Sequence, residues 1–182
     1  KMAMTLITTN TSSNAASSSF TSSIDSTYKL YIFKFYDVNP ATNDVSFTFN
    51  VSNDGGSNYD TTKITTFFNG GSHFEDDSGG SQNYSTGSDL SDSDGGTVYQ
   101  PIQTGVGNDA DASVAGTLWF FNPSSTTYIK HFYTRANVYS EANGSYDSFA
   151  SGYARTTDAL NAIQFKMSSG NMDAVIKMYG VG

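Results

Sequence analysis

The sequence predicts an all-β protein, a single antiparallel β-sandwich of jelly-roll type that spans residues 1–182. Three observations predict this class. The chain is rich in strand-favouring aromatic residues, with 12 Tyr and 13 Phe. Apolar and polar residues alternate with a period of two in many segments, and no segment keeps a period of 3.6 residues. Turn residues separate about eight to ten such segments, as in sandwiches.

The first elements are a strand at residues 4–9 and a polar stretch at residues 10–19. The polar stretch has no periodicity, so it is predicted to be a surface loop or an edge strand, with a linker as the alternative. Residues 28–36 are then apolar on both faces. Such a strand is typical of a sandwich centre or of a contact with a neighbouring subunit.

Two hairpins are predicted, at residues 47–64 and 163–178. In the first, alternating apolar residues lead into Asp54-Gly55, a strong hairpin turn pair. In the second, two alternating segments flank Ser169-Gly170-Asn171. Period-two alternation on both sides of a short polar turn is typical of two paired strands.

The remaining chain is divided between one long loop region and several further strands. Residues 69–96 are rich in Gly, Ser and Asp and are predicted to be irregular, and loops of this length usually carry function. Strands are expected near residues 97–102, 117–122, 126–135 and 149–155, with one helical turn at residues 157–160.

Charge and cysteine content exclude several classes of partner. The net charge is −8, and the nine Lys and Arg residues are scattered, whereas a nucleic-acid partner requires clustered cations. The absence of cysteine excludes disulfides, thiolate chemistry and cysteine-bound metal. No apolar run approaches the ~18 residues of a membrane span, so no membrane insertion is expected. No cofactor is predicted.

The acidic segment at residues 89–96 is the candidate metal site. Asp92 and Asp94, placed before Gly95, resemble the start of a calcium loop. In that register, however, Leu90 and Pro101 fall on the first and last ligand positions. A solvated acidic loop is therefore the favoured interpretation, and Asp92 and Asp94 remain candidate ligands.

Catalytic patterns are sparse, and the sequence predicts a protein that is not an enzyme. His131 lies in a predicted strand and is interpreted as a partly buried structural residue, whereas His73 lies in a loop beside acidic residues. One histidine does not make a zinc site. The α/β pattern around a serine-hydrolase elbow is missing. Candidate carboxylates for glycoside hydrolysis exist, but sequence spacing cannot place them across a sheet; they are Glu75, Asp109, Asp111 and Glu141.

Four tyrosines in predicted loops are the candidate binding contacts: Tyr84, Tyr99, Tyr139 and Tyr146. Each is surrounded by Asn, Ser, Gly or Asp. Aromatic rings beside short hydrogen-bonding side chains suit contacts with a glycan or with another protein. The alternative is that these rings cover the ends of the sandwich. Trp119 is interpreted as part of the core or of a subunit interface.

Three stretches of the chain resemble a known family. They are residues 26–40, residues 116–128 and the ending at residues 158–180, which closes on Met178-Tyr179-Gly180. Together they are similar to small virion proteins of marine tailed bacteriophages of the cyanophage and pelagiphage type. The resemblance covers most of the chain.

The resemblance implies a non-enzymatic structural component of a virion, placed in the tail or tail fibre and involved in host-surface attachment. The implied partners are other virion proteins and a host-surface glycan. A head-decoration protein and a tail-associated glycan depolymerase are the alternatives, and a soluble bacterial adhesin subunit is a third. Depolymerases are commonly long β-helices with internal repeats, and no repeat period is present here.

A homo-oligomer is predicted from the aromatic content of two segments. Residues 28–36 and 118–121 contain more aromatic surface than one small sandwich usually hides, so we expect a closed trimer that buries part of it. Light scattering at micromolar concentration should give the mass of three 19.5 kDa chains. A monomer under these conditions, with no partner chain present, would contradict this prediction.

Overall fold

The computed structural model describes residues 3–73 and 82–182, and two antiparallel sheets pack against each other as a β-sandwich. A short 3₁₀ helix covers Asp92–Asp94. The strands, in chain order, are β1 (Met4–Ala15), β2 (Ser18–Phe20), β3 (Leu30–Pro40), β4 (Val45–Ser52), β5 (Lys63–His73), β6 (Gln82–Tyr84), β7 (Gln100–Val106), β8 (Val114–Phe121), β9 (Lys130–Tyr139), β10 (Gly144–Ala154), β11 (Ala162–Met167) and β12 (Met172–Val181).

The first four strands pair with later strands in reverse order along the chain. Sheet I has the order β1-β12-β3-β8-β9-β10-β5-β6, and sheet II has the order β2-β11-β4-β7. Strands β1, β2, β3 and β4 pair with β12, β11, β8 and β7, respectively. Strands β1 to β4 therefore alternate between the two sheets, and each lies beside its later partner. Strands β9, β10, β5 and β6 extend sheet I beyond these eight strands.

Both predicted hairpins are wrong. Strand β4 lies in sheet II and β5 in sheet I, while β11 lies in sheet II and β12 in sheet I. The turns that follow β4 and β11 therefore carry the chain across the core from one sheet to the other. Gly170, in the second turn, has a φ of 74°. Alternation shows only that one face of a strand is buried, and that holds equally for strands facing each other across a sandwich.

Three other predictions need correction or refinement. The polar stretch at residues 10–19 is an edge strand, because β1 continues to Ala15 at the margin of sheet I. The region at residues 69–96 is not wholly irregular, since it contains the end of β5, all of β6 and the 3₁₀ helix; its residues 74–81 lie outside the described residues. The predicted turn at residues 157–160 is not helical.

The predicted loop region is also anchored to the sandwich. Leu90 is buried, its amide donates to Thr65 Oγ1 at 2.7 Å, and its carbonyl oxygen accepts from the Thr65 amide at 2.9 Å. These two bonds attach the segment that follows β6 to β5.

The two faces of β3 are buried in different ways. Tyr31, Phe33 and Phe35 point into the core and are at most 2% exposed. Ile32 points outward, yet it is only 8% exposed and lies beside Trp119 of β8 in register. Neighbours in the same sheet therefore supply much of the burial on the outer side.

An aromatic cluster centred on Phe165 holds the two sheets together. Phe165 is fully buried in β11 of sheet II. Aromatic pairs at such separations add to the free energy gained from burying apolar area. The ring centroids around it lie at 5.2 Å (Phe35), 5.5 Å (Phe33), 6.0 Å (Phe47), 6.2 Å (Phe20) and 6.4 Å (Phe49).

A second, polar cluster connects the extension of sheet I to sheet II. Lys63 of β5 is 1% exposed, and its Nζ donates to Asn50 Oδ1 at 2.6 Å and to the Thr61 carbonyl at 2.9 Å. Thr65 Oγ1 donates to Gln100 Oε1 at 2.6 Å. Burial lowers the pKa of Lys63 to about 7 because the charged amine loses its hydration.

The aromatic cluster predicts the effect of a core truncation. Phe165→Ala removes the ring that all five neighbours contact and should lower the free energy of unfolding by about 3–5 kcal/mol. Urea denaturation followed by tryptophan fluorescence measures it. Lys166→Ala, the next residue on the same strand but half-buried at its outer side, is the control and should change stability by less than about 1 kcal/mol. Equal effects for the two variants would contradict the central role of Phe165.

The buried amine predicts a pH dependence of stability. The folded pKa of Lys63, about 7, lies below the ordinary value of 10.5, so between these values the unfolded chain binds more protons than the folded one. The free energy of unfolding should therefore rise with pH above 7, by up to ~1.4 kcal/mol per pH unit, relative to Lys63→Met. Urea denaturation from pH 7 to 9.5 tests this. The exposed control Lys29→Met should show a constant difference, and a constant difference for Lys63→Met would refute the assignment.

Candidate functional site

The four predicted tyrosine contacts do not form one site, and three of them lie in strands rather than loops. Tyr84 is in β6, Tyr139 ends β9 and Tyr146 is in β10, whereas Tyr99 precedes β7. Tyr84 and Tyr139 are exposed, while Tyr99 and Tyr146 are half-buried. Tyr139 and Tyr146 lie in adjacent register positions on β9 and β10, but Tyr146 packs against the core and Tyr139 is exposed, while Tyr84 and Tyr99 lie on other elements.

Each of these rings has a structural neighbour. The Tyr84 hydroxyl donates to Asp89, a hydrogen bond that raises the pKa of Tyr84. The Tyr99 hydroxyl donates to Gln164 Oε1 at 2.6 Å on sheet II, and burial raises its pKa. The Tyr139 hydroxyl donates to Asn143 Oδ1 at 2.9 Å. Tyr146 packs against the core.

The candidate metal ligands are held by protein groups. Asp92 forms an ion pair with Arg155. Asp94 Oδ2 accepts from the Ser91 amide at 2.6 Å and from its hydroxyl at 2.8 Å, and these hydrogen bonds lower the pKa of Asp94. Within residues 3–73 and 82–182, no three His, Asp or Glu side chains gather as a metal site would require.

The histidines and carboxylates lie at scattered positions. His131 is exposed on β9, which corrects the prediction that it is partly buried. His73 ends β5, paired with Gly144. Asp109, Asp111 and Glu141 are exposed outside the strands, and Glu75 lies outside the described residues.

The most distinctive surface is the side of sheet I that faces away from sheet II, which we call the outer face. Two rows of side chains cross it from strand to strand in register. The first row contains Lys177, Lys34, Thr117, Arg135, Phe149, Phe68 and Tyr84. The second row contains Tyr179, Ile32, Trp119, Tyr133, Ser151 and Thr66.

Large aromatic side chains on these rows remain exposed. Tyr133 and Tyr84 are each 46% exposed and Phe68 is 39% exposed. The Trp119 and Tyr133 rings pack with centroids 5.0 Å apart, and Phe68 and Tyr84 pack at 5.1 Å. Contiguous exposed apolar surface of this kind marks an interaction site more often than isolated apolar residues do.

A groove of about 620 Å³ occupies one part of the outer face. Its floor passes over Ala115 and Thr117, small residues of β8, and Trp119 and Tyr36 stand near its two ends. A second depression of about 320 Å³ continues from Trp119 over Phe149 and Phe68. The two share Trp119 and Arg135, so together they form one continuous band.

A β-bulge shapes the groove at Tyr36. The register between β3 and β8 jumps from Phe35–Gly116 to Val38–Val114, so that two residues of β3 oppose Ala115. A bulge bends its strand and redirects the side chains there. Tyr36 is 38% exposed, and Lys177 Nζ lies 5.2 Å from the centre of its ring.

Charge on the groove is positive at one side and balanced at the other. Lys34 and Lys177 lie directly opposite each other on paired strands, are half-buried, and within the described part of the chain form no ion pair. Arg135 pairs with Asp147 at 2.9 Å, and its guanidinium carbon lies 4.9 Å from the centre of the Phe149 ring. This arrangement can bind an anionic group beside a row of rings.

Sequence reasoning missed most of this surface. The core alternative for Trp119 is wrong, because Leu118 and Phe120 point inward and Trp119 lies on the outer face; its place in a subunit interface stays a prediction. The one available indication was β9, where His131, Tyr133 and Arg135 alternate with buried residues. That alternation marks an outward aromatic and cationic face.

Among the described residues, no helix has the length and apolar character of a membrane span. Comparison with protein-family models, characterised proteins and solved structures finds no match to this chain. The resemblance to phage virion proteins therefore remains a prediction from the sequence.

Proposed function

We propose that this chain is a non-enzymatic structural component of a tailed-phage virion. It serves as a β-sandwich module of the tail or tail fibre and takes part in attachment to the host surface. Its partners are other virion proteins, two further copies of itself, which contact surface outside the band on the outer face, and a host-surface glycan. The sequence resemblance is the basis for the virion, and the outer face is the basis for attachment.

We further propose that the sandwich is a jelly roll. The pairing of β1 to β4 with β12, β11, β8 and β7 supports this, because a long hairpin rolled into two sheets is how eight jelly-roll strands connect. Jelly rolls occur in viral capsid and lectin domains. This connectivity is compatible with a virion component that binds a ligand, although fold alone does not assign function.

The observation that carries the attachment role is the band on the outer face. Its rings at Tyr36, Trp119 and Tyr133 stand in the middle of sheet I, on strands that are paired on both sides. Such a surface is rigid, and the rings on it are not needed to fill the core. A rigid scaffold that presents aromatic side chains binds with little loss of conformational entropy.

The same band supports the second candidate, a head-decoration protein. Exposed aromatic surface can equally be covered by a capsid shell, since protein interfaces are enriched in Tyr, Trp and Phe. The depolymerase alternative has less support, because glycoside hydrolysis generally uses two carboxylates. Of the described residues that line the groove, Asp147 is the single carboxylate, and it is paired with Arg135.

Immunogold electron microscopy on particles of the phage that encodes this chain tests the proposal. Antibody against the purified protein should label the tail. Label on the head would instead support decoration, and absence of the protein from purified particles would refute a virion role.

A competition assay tests attachment separately from location. Purified protein should slow adsorption of the phage to its host cells, because it occupies the same surface receptors. A Trp119→Ser, Tyr133→Ser variant should compete poorly, whereas the control Tyr99→Ser, on sheet II, should compete as well as the parent. Equal competition by all three proteins would place the attachment surface elsewhere.

A further inference from the structure

We propose that the band on the outer face binds an acidic oligosaccharide, a sugar chain that carries carboxylate or sulfate groups. The anionic groups lie beside Lys34 and Lys177, and the sugar rings stack along Tyr36 and Trp119 toward Phe149 and Phe68. This binding would be the chemical basis of the proposed attachment role, and only the host surface as the origin of the sugar chain rests on that role.

The charge of the ligand follows from the lysine pair. Like charges directly opposite on paired strands destabilise a sheet. Lys34 and Lys177 occupy such positions without a carboxylate partner among the described residues, in a chain of net charge −8. An anion held between them would turn this repulsion into two charge-assisted hydrogen bonds.

The chemical class follows from what the surface offers besides charge. Every strand from β12 to β10 is paired on both sides, so the middle of sheet I has no free backbone edge on which a peptide could add a strand. Recognition must use side chains. The accessible groups are flat rings and planar polar groups: Tyr133 and Asn137 are exposed, and Trp119 and Asp147 are half-buried. Sugars present apolar C–H faces and equatorial hydroxyls, which suit stacking and hydrogen bonding with these groups.

The dimensions of the band favour a chain of several sugars. Lys34 on β3 and Phe68 on β5 are separated by four strand spacings, which is about 19 Å. Along β8, Ala115 beside Tyr36 and Trp119 are four residues apart, which is about 13 Å. Small side chains, Ala115 and Thr117, keep the space between the end rings open.

The first test measures binding by NMR titration and calorimetry with a panel of hexasaccharides. The acidic probes are oligogalacturonate, oligoalginate and chondroitin sulfate, and the neutral probe is maltohexaose. At least one acidic probe should bind, should shift resonances of Trp119 and Lys34, and should weaken as salt rises because the attraction is electrostatic. Failure of all three acidic probes at millimolar concentration, or equal binding of maltohexaose, would overturn the proposal.

The second test uses charge variants with a stability readout. Lys34→Gln and Lys177→Gln should each weaken binding of the acidic probe about tenfold, and the melting temperature of Lys34→Gln should stay equal or rise because a repulsion is removed. The matched control is Lys166→Gln on sheet II, whose Nζ lies 4.1 Å from the centre of the Tyr99 ring. Loss of binding in the control to the same degree would overturn the site.

The third test separates the alternatives. Trp119→Leu retains apolar cover for Ile32 but removes a stacking surface, so it should weaken saccharide binding severalfold. A hexa-aspartate peptide that binds as tightly as the saccharide would show a general anion site and contradict a sugar. Protection of the band in a self-associated form, without saccharide binding, would assign the face to a second copy of the chain. Immunogold labelling of the tail does not depend on any of these results, so it tests the virion role separately.

Discussion

The fold depends on the packing of two sheets against one aromatic cluster. Phe165 of sheet II contacts rings from both sheets, including Phe33 and Phe35 of β3. Strand β3 lies inside sheet I, between β12 and β8. The contact with Phe165 therefore holds in place the sheet whose outer face carries the band. The inward side chains of β3 are buried in the core, and its outward side chains Lys34 and Tyr36 line the groove on the outer face. One strand therefore links core stability to the candidate site.

The extension of sheet I has a different kind of anchor. Strands β9, β10, β5 and β6 extend sheet I, and buried polar groups on β5 help to hold this extension against sheet II. Lys63 and Thr65 of β5 bond to Asn50 of β4 and Gln100 of β7. Directional hydrogen bonds fix position more strictly than apolar contacts do, at the cost of desolvating an amine. This extension carries Tyr133 and Phe149, so the polar cluster on β5 and the apolar contact between Phe132 of β9 and Phe49 of β4 together position half of the band.

The sequence allowed the strands and their buried faces to be predicted, but not their partners. Phe47, Phe49 and Phe165 are buried as their alternation indicated. The partners of β11 are β2 and β4, which are distant in the chain, and alternation contains no information about them. The core alternative for Trp119 is wrong for a related reason: a run of apolar residues shows no alternation from which the inward face can be read. The opposition of Lys34 and Lys177 depends on register and was likewise beyond prediction.

Lys34 and Lys177 place two positive charges opposite each other, which lowers the local stability of the sheet but gives its outer face a position for an anion. Two ion pairs form among the described charges: Asp92 pairs with Arg155, and Asp147 pairs with Arg135. Lys34 and Lys177 instead face each other, although either could be replaced by a neutral residue at a half-buried outer position without disturbing the core. Natural sequences break such local rules mainly where function requires it. An anionic ligand provides that requirement, because it reverses the sign of the interaction at these two positions and leaves the rest of the sheet unchanged.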